Sequence, residues 1–384
     1  MHSLDAIAQA KLDDLQRRHL RRALAETVRE DGIWVERDGK RLLSFSCNDY
    51  LNLTQHPAVK QAAIAAIEEY GAGSGASRMV TGNHPLYAQL EARLARIKQT
   101  GAACVFGSGY LANAGIIPVL IGRDGLVLAD ELSHACLFAG AHLSRGKVMT
   151  FRHNDVAHAR ELLAAHRAEH DHALIITDGV FSMDGDLAPL GDLLAIATDH
   201  DAWLMSDDAH GLGVVGGGRG SSFTGNTHIS VPLQMGTLSK AVGAYGGYLC
   251  ASAAVIDLIR NRARTLIYST GLPPACVAAS IAALDLIERE PGYAALPVQK
   301  ARAFTQAAGL LPAQSPIVPV VVGDEEATLA ASQMLAEEGY LAAAIRPPSV
   351  PPGTARLRLT FTAQHPDEHI IRLADIVRDK VMAH

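Results

Sequence analysis

The chain has 384 residues, of which 48% are hydrophobic and 19% charged, with 34 Lys+Arg against 40 Asp+Glu and a formal net charge of -6. That is the profile of a globular protein of two or three lobes whose core needs no disulfide staples, which excludes a mini-protein. Mild acidity without a dense Lys/Arg run argues against nucleic acid as a partner. The longest apolar runs, such as 111–121 and 275–284, fall short of the roughly 18 to 20 residues a membrane span needs. Five cysteines, odd in number and without a C-x-x-C pair, read as reduced thiols of a cytoplasmic protein. The charged N-terminus lacks the apolar centre of a signal peptide.

In chain order, the first 26 residues predict a charged amphipathic helix that includes Arg22. GIWVERDGKRLLSF predicts a hairpin turning at Asp38-Gly39. Residues 57–70 and 86–99 place apolar positions at helical spacing, with the glycine-rich GAGSGAS between them. From residue 103 to about 249, the apolar runs ACVF, LVLAD, KVMTF, ALIITDGVF, AWLMSDDA, VPLQMG and GGYLCAS alternate with helical stretches such as 156–170 and 190–200. Near-continuous apolar strands separated by helices predict an α/β fold with a parallel sheet covered on both faces. Past Pro273-Pro274, an Ala-rich helix leads into a smaller α+β part, where PIVPVVVGD and ARLRLTFTA alternate with helices at 325–338 and 366–382. The expected division is 1–50 for the helix and hairpin, 51–275 for the large domain and 276–384 for the small one.

Parallel sheets bind ligands beyond the carboxyl ends of their strands, so the polar residues after each apolar run are the candidates. These are Gly109-Tyr110, Ser133-His134, Ser182, Asp207, His210, Thr237 and Lys240. Lys240, in a small-residue loop, is either a solvated charge or an amine set to attack a carbonyl. Asp207 closes a buried apolar run, where a carboxylate needs a cation such as a pyridinium nitrogen, unless it caps the segment that follows. His210 either donates to a phenolic oxygen of the same ligand or satisfies its own turn. Gly107-Ser108-Gly109 precede a helix whose amides could cradle a phosphate. The full G-x-G-x-x-G pattern and its acidic residue about 20 positions on are missing, which argues against a dehydrogenase. His166, Glu169 and His170 match an H-x-x-E-H spacing but read as a solvated cluster, and His365 and His369 have no third ligand, so no metal site is predicted.

In this order, GSGYLAN, DELSHA, DGVFSMDGD, SDDAHGLG, GTLSKA and IRPPSVPPGTARLRLT resemble the motif set of the α-oxoamine synthases, pyridoxal-phosphate enzymes of the fold-type I aminotransferase class. The resemblance covers essentially the whole chain. It implies a mostly parallel central sheet covered by helices, a smaller C-terminal α+β domain, pyridoxal 5'-phosphate as cofactor and acyltransferase activity. Branches of that family join glycine to acetyl-CoA or succinyl-CoA, or serine to a long-chain acyl-CoA. AAIRPPSVPPGTARLRLT is most similar to the branch that condenses L-alanine with a pimeloyl thioester in biotin synthesis. Ser349 stands where threonine is commoner, and TLSKA replaces the TFGKG of some members.

By the same resemblance, Lys240 would hold the cofactor and act as base, Asp207 would keep its ring nitrogen protonated, and His134 would stack on the ring. His210 and Ser182 would sit at the phenolic oxygen, with Gly109, Tyr110 and Thr237 at the phosphate. The family is dimeric with its site at the interface, where Thr270 would reach the phosphate of the second subunit. Asn48, Arg346 and Arg358 would meet substrate carboxylates, with Arg356 as the alternative to Arg358. Arg22 and Ser349 would contact the acyl substrate, carried by coenzyme A or an acyl carrier protein.

Overall fold

A computed structural model describes residues 2–18, 20–30, 32–224 and 227–382. The N-terminal helix spans Ser3–Arg17 and buries none of its residues. It ends before Arg22, contrary to expectation, and residues 20–27 carry no regular structure. Continuing it would set Arg17 against Arg21 and Arg18 against Arg22 at i,i+4, a like-charge spacing that no packed face offsets.

Strands β1 (Val28–Arg29), β2 (Trp34–Arg37) and β3 (Lys40–Ser44) follow. Arg37 pairs with Lys40, so Asp38 and Gly39 alone make the turn, with φ of 51° and 71°. Two central residues in the left-handed region are the signature of the hairpin turn that the Asp-Gly pair predicts.

The central sheet is built from β4 (Ala102–Phe106), β5 (Leu126–Asp130), β6 (Lys147–Phe151), β7 (Ala173–Asp178) and β8 (Trp203–Asp207). After a short ribbon, β9 (Phe223–Thr224) and β10 (Thr227–His228), it is completed by β11 (Leu233–Thr237) and β12 (Gly247–Ala251). The order is β4-β12-β11-β8-β7-β5-β6. Strand β12 runs antiparallel to both neighbours, whereas the remaining pairs are parallel. The reason is connection length: residues 238–246 between β11 and β12 are too few for the crossover that a parallel partner requires.

Every residue of β5, β7, β11 and β12 is buried. Along β5, Val127 and Ala129 join one apolar cluster and Leu126 and Leu128 another, so both faces are covered. Helices Pro57–Tyr70, Leu86–Lys98 and Pro274–Arg289 cover one face, in a cluster that includes Val59, Leu90 and Leu284.

The C-terminal part holds β13 (Ile317–Gly323), β14 (Tyr340–Leu341), β15 (Ala343–Ile345) and β16 (Ala355–Thr360). Strands β13, β16 and β15 form an antiparallel sheet, while β14 pairs in parallel with β3. Ile33, Leu43 and Phe45 of the hairpin therefore share one core with Leu357, Leu359 and Leu373. The last helix is regular over Asp367–Ile376 and ends in a π-turn at Val377–Val381. Among the described residues, no helix is long and apolar enough to cross a membrane.

Candidate active site

Parallel strands bring their carboxyl ends to one edge, and the candidates gather there. Gly109, Tyr110, His134, Asp207, His210, Thr237 and Lys240 line one cavity of about 200 Å³, together with Ser108, Cys136, Asp178, Ala209, Met235 and Ser239. Helix Gly109–Leu120 starts at this edge. Ser108 caps it: its Oγ accepts from the Leu111 amide at 3.2 Å and its carbonyl from Ala112 at 3.0 Å. The Gly109 and Tyr110 amides stay without intrahelical partners, as the first turn of any helix demands, which makes an anion cradle. Thr237 donates its hydroxyl to the Gly246 carbonyl at 2.7 Å, so Ser239 Oγ is the donor in the 2.8 Å bond to Thr237 Oγ1.

Asp207 is 3% exposed. Its Oδ1 accepts from the Ala209 amide at 3.0 Å and its Oδ2 from Asn113 Nδ2 at 2.8 Å. Among the described residues its hydrogen-bond partners are all neutral, so the carboxylate faces the cavity without a paired cation. Half-buried Lys240 lines the same cavity, and burial lowers its pKa despite the opposing charge of Asp207. Burial, followed by the Asp207 charge, lifts the Asp178 carboxyl well above the usual range and the Cys136 thiol to about 12.

His134 donates its backbone N–H to Asp178 Oδ2 at 2.8 Å, and its Nδ1 accepts from the Cys136 amide at 3.2 Å, capping helix Ala135–Ser144. Its side chain is open to solvent in the single chain, yet the cavity wall surrounds the ring closely enough to lower its pKa by desolvation. His210 is buried, and desolvation holds its pKa well below the ordinary value, with Lys240, Arg358 and His134 acting in the same direction.

A second group connects to this cavity through hydrogen bonds. Arg358, 7% exposed on β16, donates from both terminal nitrogens to Asn48 Oδ1 at 3.2 Å and through Nε to the Ser182 carbonyl. Tyr50 OH lies 3.2 Å from Asn48 Oδ1 and 2.6 Å from His210 Nδ1. Arg356 is committed elsewhere, to Asp184 and the Met183 carbonyl. Ser182 thus enters through its backbone and is absent from the cavity lining. Arg22 donates to Ser349 Oγ at 3.1 Å, and these two residues line another cavity, of about 230 Å³, with Arg346, Leu20 and Pro347. Thr270 is exposed, bridged to Ser77, and lines neither cavity.

Outside the cavity lining, His153 braces the strand ends: its Nδ1 lies 3.0 Å from Asp130 Oδ1 and its Nε2 2.8 Å from Asp186 Oδ2. Burial disfavours the charged ring, but the bonds to the two carboxylates outweigh it and raise the pKa to about 10. This ties the ends of β5 and β6 to the loop that carries Ser182. A folded pKa above the unfolded value of about 6.5 means that the contribution is complete below about pH 6.5 and is lost as pH rises through about 10. The urea midpoint of the wild type is therefore expected to fall more steeply from about pH 7 to about pH 10 than that of His153→Gln. Equal slopes in the two proteins would remove His153 as the cause.

Residues 40–377 match the family described as aminotransferase class I and II. The chain belongs to that family. A Methylocella silvestris 8-amino-7-oxononanoate synthase is 69% identical over 347 residues, covering 90% of this chain and 99% of the relative. One from Beijerinckia indica is 63% identical over 377 residues, 98% of each chain. Among solved structures, a serine palmitoyltransferase variant from S. paucimobilis with bound PLP has a TM-score of 0.90 at 28% identity, covering 98% of this chain and 97% of that one. These relatives place the chain in the α-oxoamine synthase branch of the aminotransferase family.

Sequence reasoning missed several residues of this aminotransferase-family site. Asn113, Cys136 and Ser239 lie one to three positions from residues it singled out, Asn113 and Ser239 inside motifs it quoted and Cys136 one residue past the end of DELSHA. Asp178 carried the same signal as Asp207, a carboxylate closing a buried strand, but Ser182 was taken from that motif instead. Tyr50 carried no local signal, since its partner His210 is 160 residues away.

Proposed function

We propose that this chain condenses L-alanine with a pimeloyl thioester to 8-amino-7-oxononanoate, releasing carbon dioxide and free thiol, with pyridoxal phosphate as cofactor. The observation that carries the reading is identity of 63% and 69% to synthases named for that product, over nearly the whole chain. The cavity fits the cofactor on its own chemistry: unpaired helix amides suit a phosphate, an unpaired buried carboxylate suits a pyridinium, and an amine of lowered pKa suits an aldehyde.

When bound, pyridoxal phosphate supplies a protonated ring that takes up the electron pair left behind as an amino acid loses its Cα proton. Asp207 would hold the ring nitrogen in that protonated state. Lys240 would attach the cofactor and then remove the Cα proton, and burial, which lowers its pKa, favours the unprotonated amine that this task needs. His134 would cover the ring, with His210 beside its phenolic oxygen, while Ser182, outside the cavity lining, would act through its carbonyl on Arg358. Gly109, Tyr110 and the Thr237–Ser239 hydroxyl pair would hold the phosphate.

Arg358 and Asn48 would take the amino acid carboxylate, because a buried guanidinium whose described partners are neutral is the group that an anion stabilises. Arg22, Ser349 and Arg346 would meet the acyl chain, whose terminal carboxylate needs a charged wall rather than an apolar tunnel. A homodimer would bring Thr270 to the phosphate site of the second subunit. All five cysteines are free, which supports a cytoplasmic setting. An acyl carrier protein or coenzyme A would deliver the thioester.

A panel of amino acids and thioesters, assayed for thiol release, tests the substrate. L-Alanine with a pimeloyl thioester is expected to lead, and glycine with acetyl- or succinyl-CoA to be much poorer. A preference for glycine with a short acyl-CoA would move the chain to another branch of the family.

A further inference from the structure

His210 has two ring nitrogens, and which of them carries the proton decides whether the one facing the cavity donates or accepts. The surrounding protein settles this through proton counting. Arg358 has only donors, so Asn48 must turn its carbonyl oxygen toward it, and that oxygen accepts two N–H groups at 3.2 Å each. Its two lone pairs are engaged. The Tyr50 hydroxyl has one proton and two possible acceptors, this occupied oxygen at 3.2 Å and His210 Nδ1 at 2.6 Å, while Arg358, which also hydrogen-bonds to it, can only donate. The shorter bond, to the acceptor with a free lone pair, takes the proton. His210 Nδ1 is then an acceptor, and its proton sits on Nε2, which has no hydrogen-bond partner among the described residues.

Tyr50 is well suited to impose this. It is fully buried, and its backbone carbonyl accepts from the Ala363 amide at 2.8 Å. Burial pushes its hydroxyl up to about 12, against the pull of Arg358, so it keeps its proton near neutrality. The His210 ring is neutral there, held so by desolvation and by Lys240, Arg358 and His134.

We propose that Tyr50 is a positioning residue that holds His210 in the tautomer protonated on Nε2, presenting a fixed N–H donor to the cavity. This makes a chain from Arg358 through Asn48 and Tyr50 to His210, joining the arginine assigned to the substrate carboxylate with the histidine assigned to the cofactor oxygen. The second half of that statement rests on the proposed function; the tautomer does not.

The test is nitrogen NMR on the full-length protein labelled with 15N-histidine, with and without added pyridoxal phosphate, the His210 signals being assigned by their loss in His210→Gln. In the wild type, Nε2 is expected to show a protonated, pyrrole-type shift and Nδ1 a bare, pyridine-type shift in both states. In Tyr50→Phe the two shifts should converge as the tautomers mix, kcat should fall about tenfold, and KM for alanine should stay within about twofold. A proton on Nδ1 in the wild type, or an unchanged spectrum in Tyr50→Phe, overturns the inference. The wild-type spectrum decides the tautomer even if the variant folds poorly. An Nε2–H tautomer in a protein that never takes up pyridoxal phosphate would sink the proposed function and leave this inference standing.

Discussion

Lys240→Ala is expected to lower thiol release by at least about 10⁴-fold while leaving pyridoxal phosphate bound. The lysine is the cavity's amine, and among the described residues nothing else there offers a nitrogen nucleophile of lowered basicity on a flexible stem. The groups assigned to the phosphate and the ring lie on other elements: the Gly109 and Tyr110 amides at a helix N-terminus, Thr237 at the end of β11, and Asp207 at the end of β8. Half-buried and without a hydrogen bond to the described protein, the Lys240 amine supports no packing that its removal would collapse. Dialysed wild type and variant should therefore carry similar amounts of cofactor, and borohydride should link it covalently to the wild type alone. Full turnover in the variant would end the assignment.

How far the site was legible follows from how local its signals are. Asp207, Thr237 and Lys240 sit on or just past apolar runs, and a parallel sheet carries every such position to one edge, so reading the residue after each run finds them without any knowledge of pairing. The antiparallel setting of β12 was not legible in its composition, which is as apolar as that of the parallel strands of the sheet; only the short link from β11 signals it. Lys98 shows the same limit. It closes an amphipathic helix, where a lysine is ordinarily solvated, yet it is 0% exposed and donates to Asp208 at 2.5 Å and to the Arg219 carbonyl at 2.8 Å. A buried charge pair is set by two elements 110 residues apart in sequence, and no local pattern encodes it.

The substrate side was read by resemblance, and the structure orders those residues more sharply than the motif does. Arg356 and Arg358 alternate along one strand with near-identical surroundings in sequence, but the first meets Asp184 and the second, among the described residues, hydrogen-bonds to neutral groups. Arg22 was expected on a helix and instead lies in an irregular segment, where its contact with Ser349 closes a cavity wall. Thr270 remains away from both cavities of the single chain, and its assigned role depends on a second subunit.

Asp207→Asn is expected to keep the fold and to slow exchange of alanine's Cα proton by about 10²–10³-fold. The fold argument is geometric. Asparagine retains an oxygen for the Ala209 amide, while its new NH2 group would face the Asn113 NH2, two donors in a buried place. Asn113 Oδ1 has no hydrogen-bond partner among the described residues, so a half-turn of that amide replaces the clash with a bond. The remaining loss is the Asn113 contact with Cys136, and the stability cost should stay within about 1–3 kcal/mol. The chemical argument is electrostatic. A carboxylate buried beside neutral donors stabilises a proton on whatever nitrogen faces it, whereas an amide supplies no charge to do so. Proton exchange in heavy water, followed by the loss of alanine's Cα signal, isolates that step from the thioester reaction, and a urea midpoint measured on the same sample checks the fold. Exchange at the wild-type rate in a folded variant would show that Asp207 does not maintain the ring's charge.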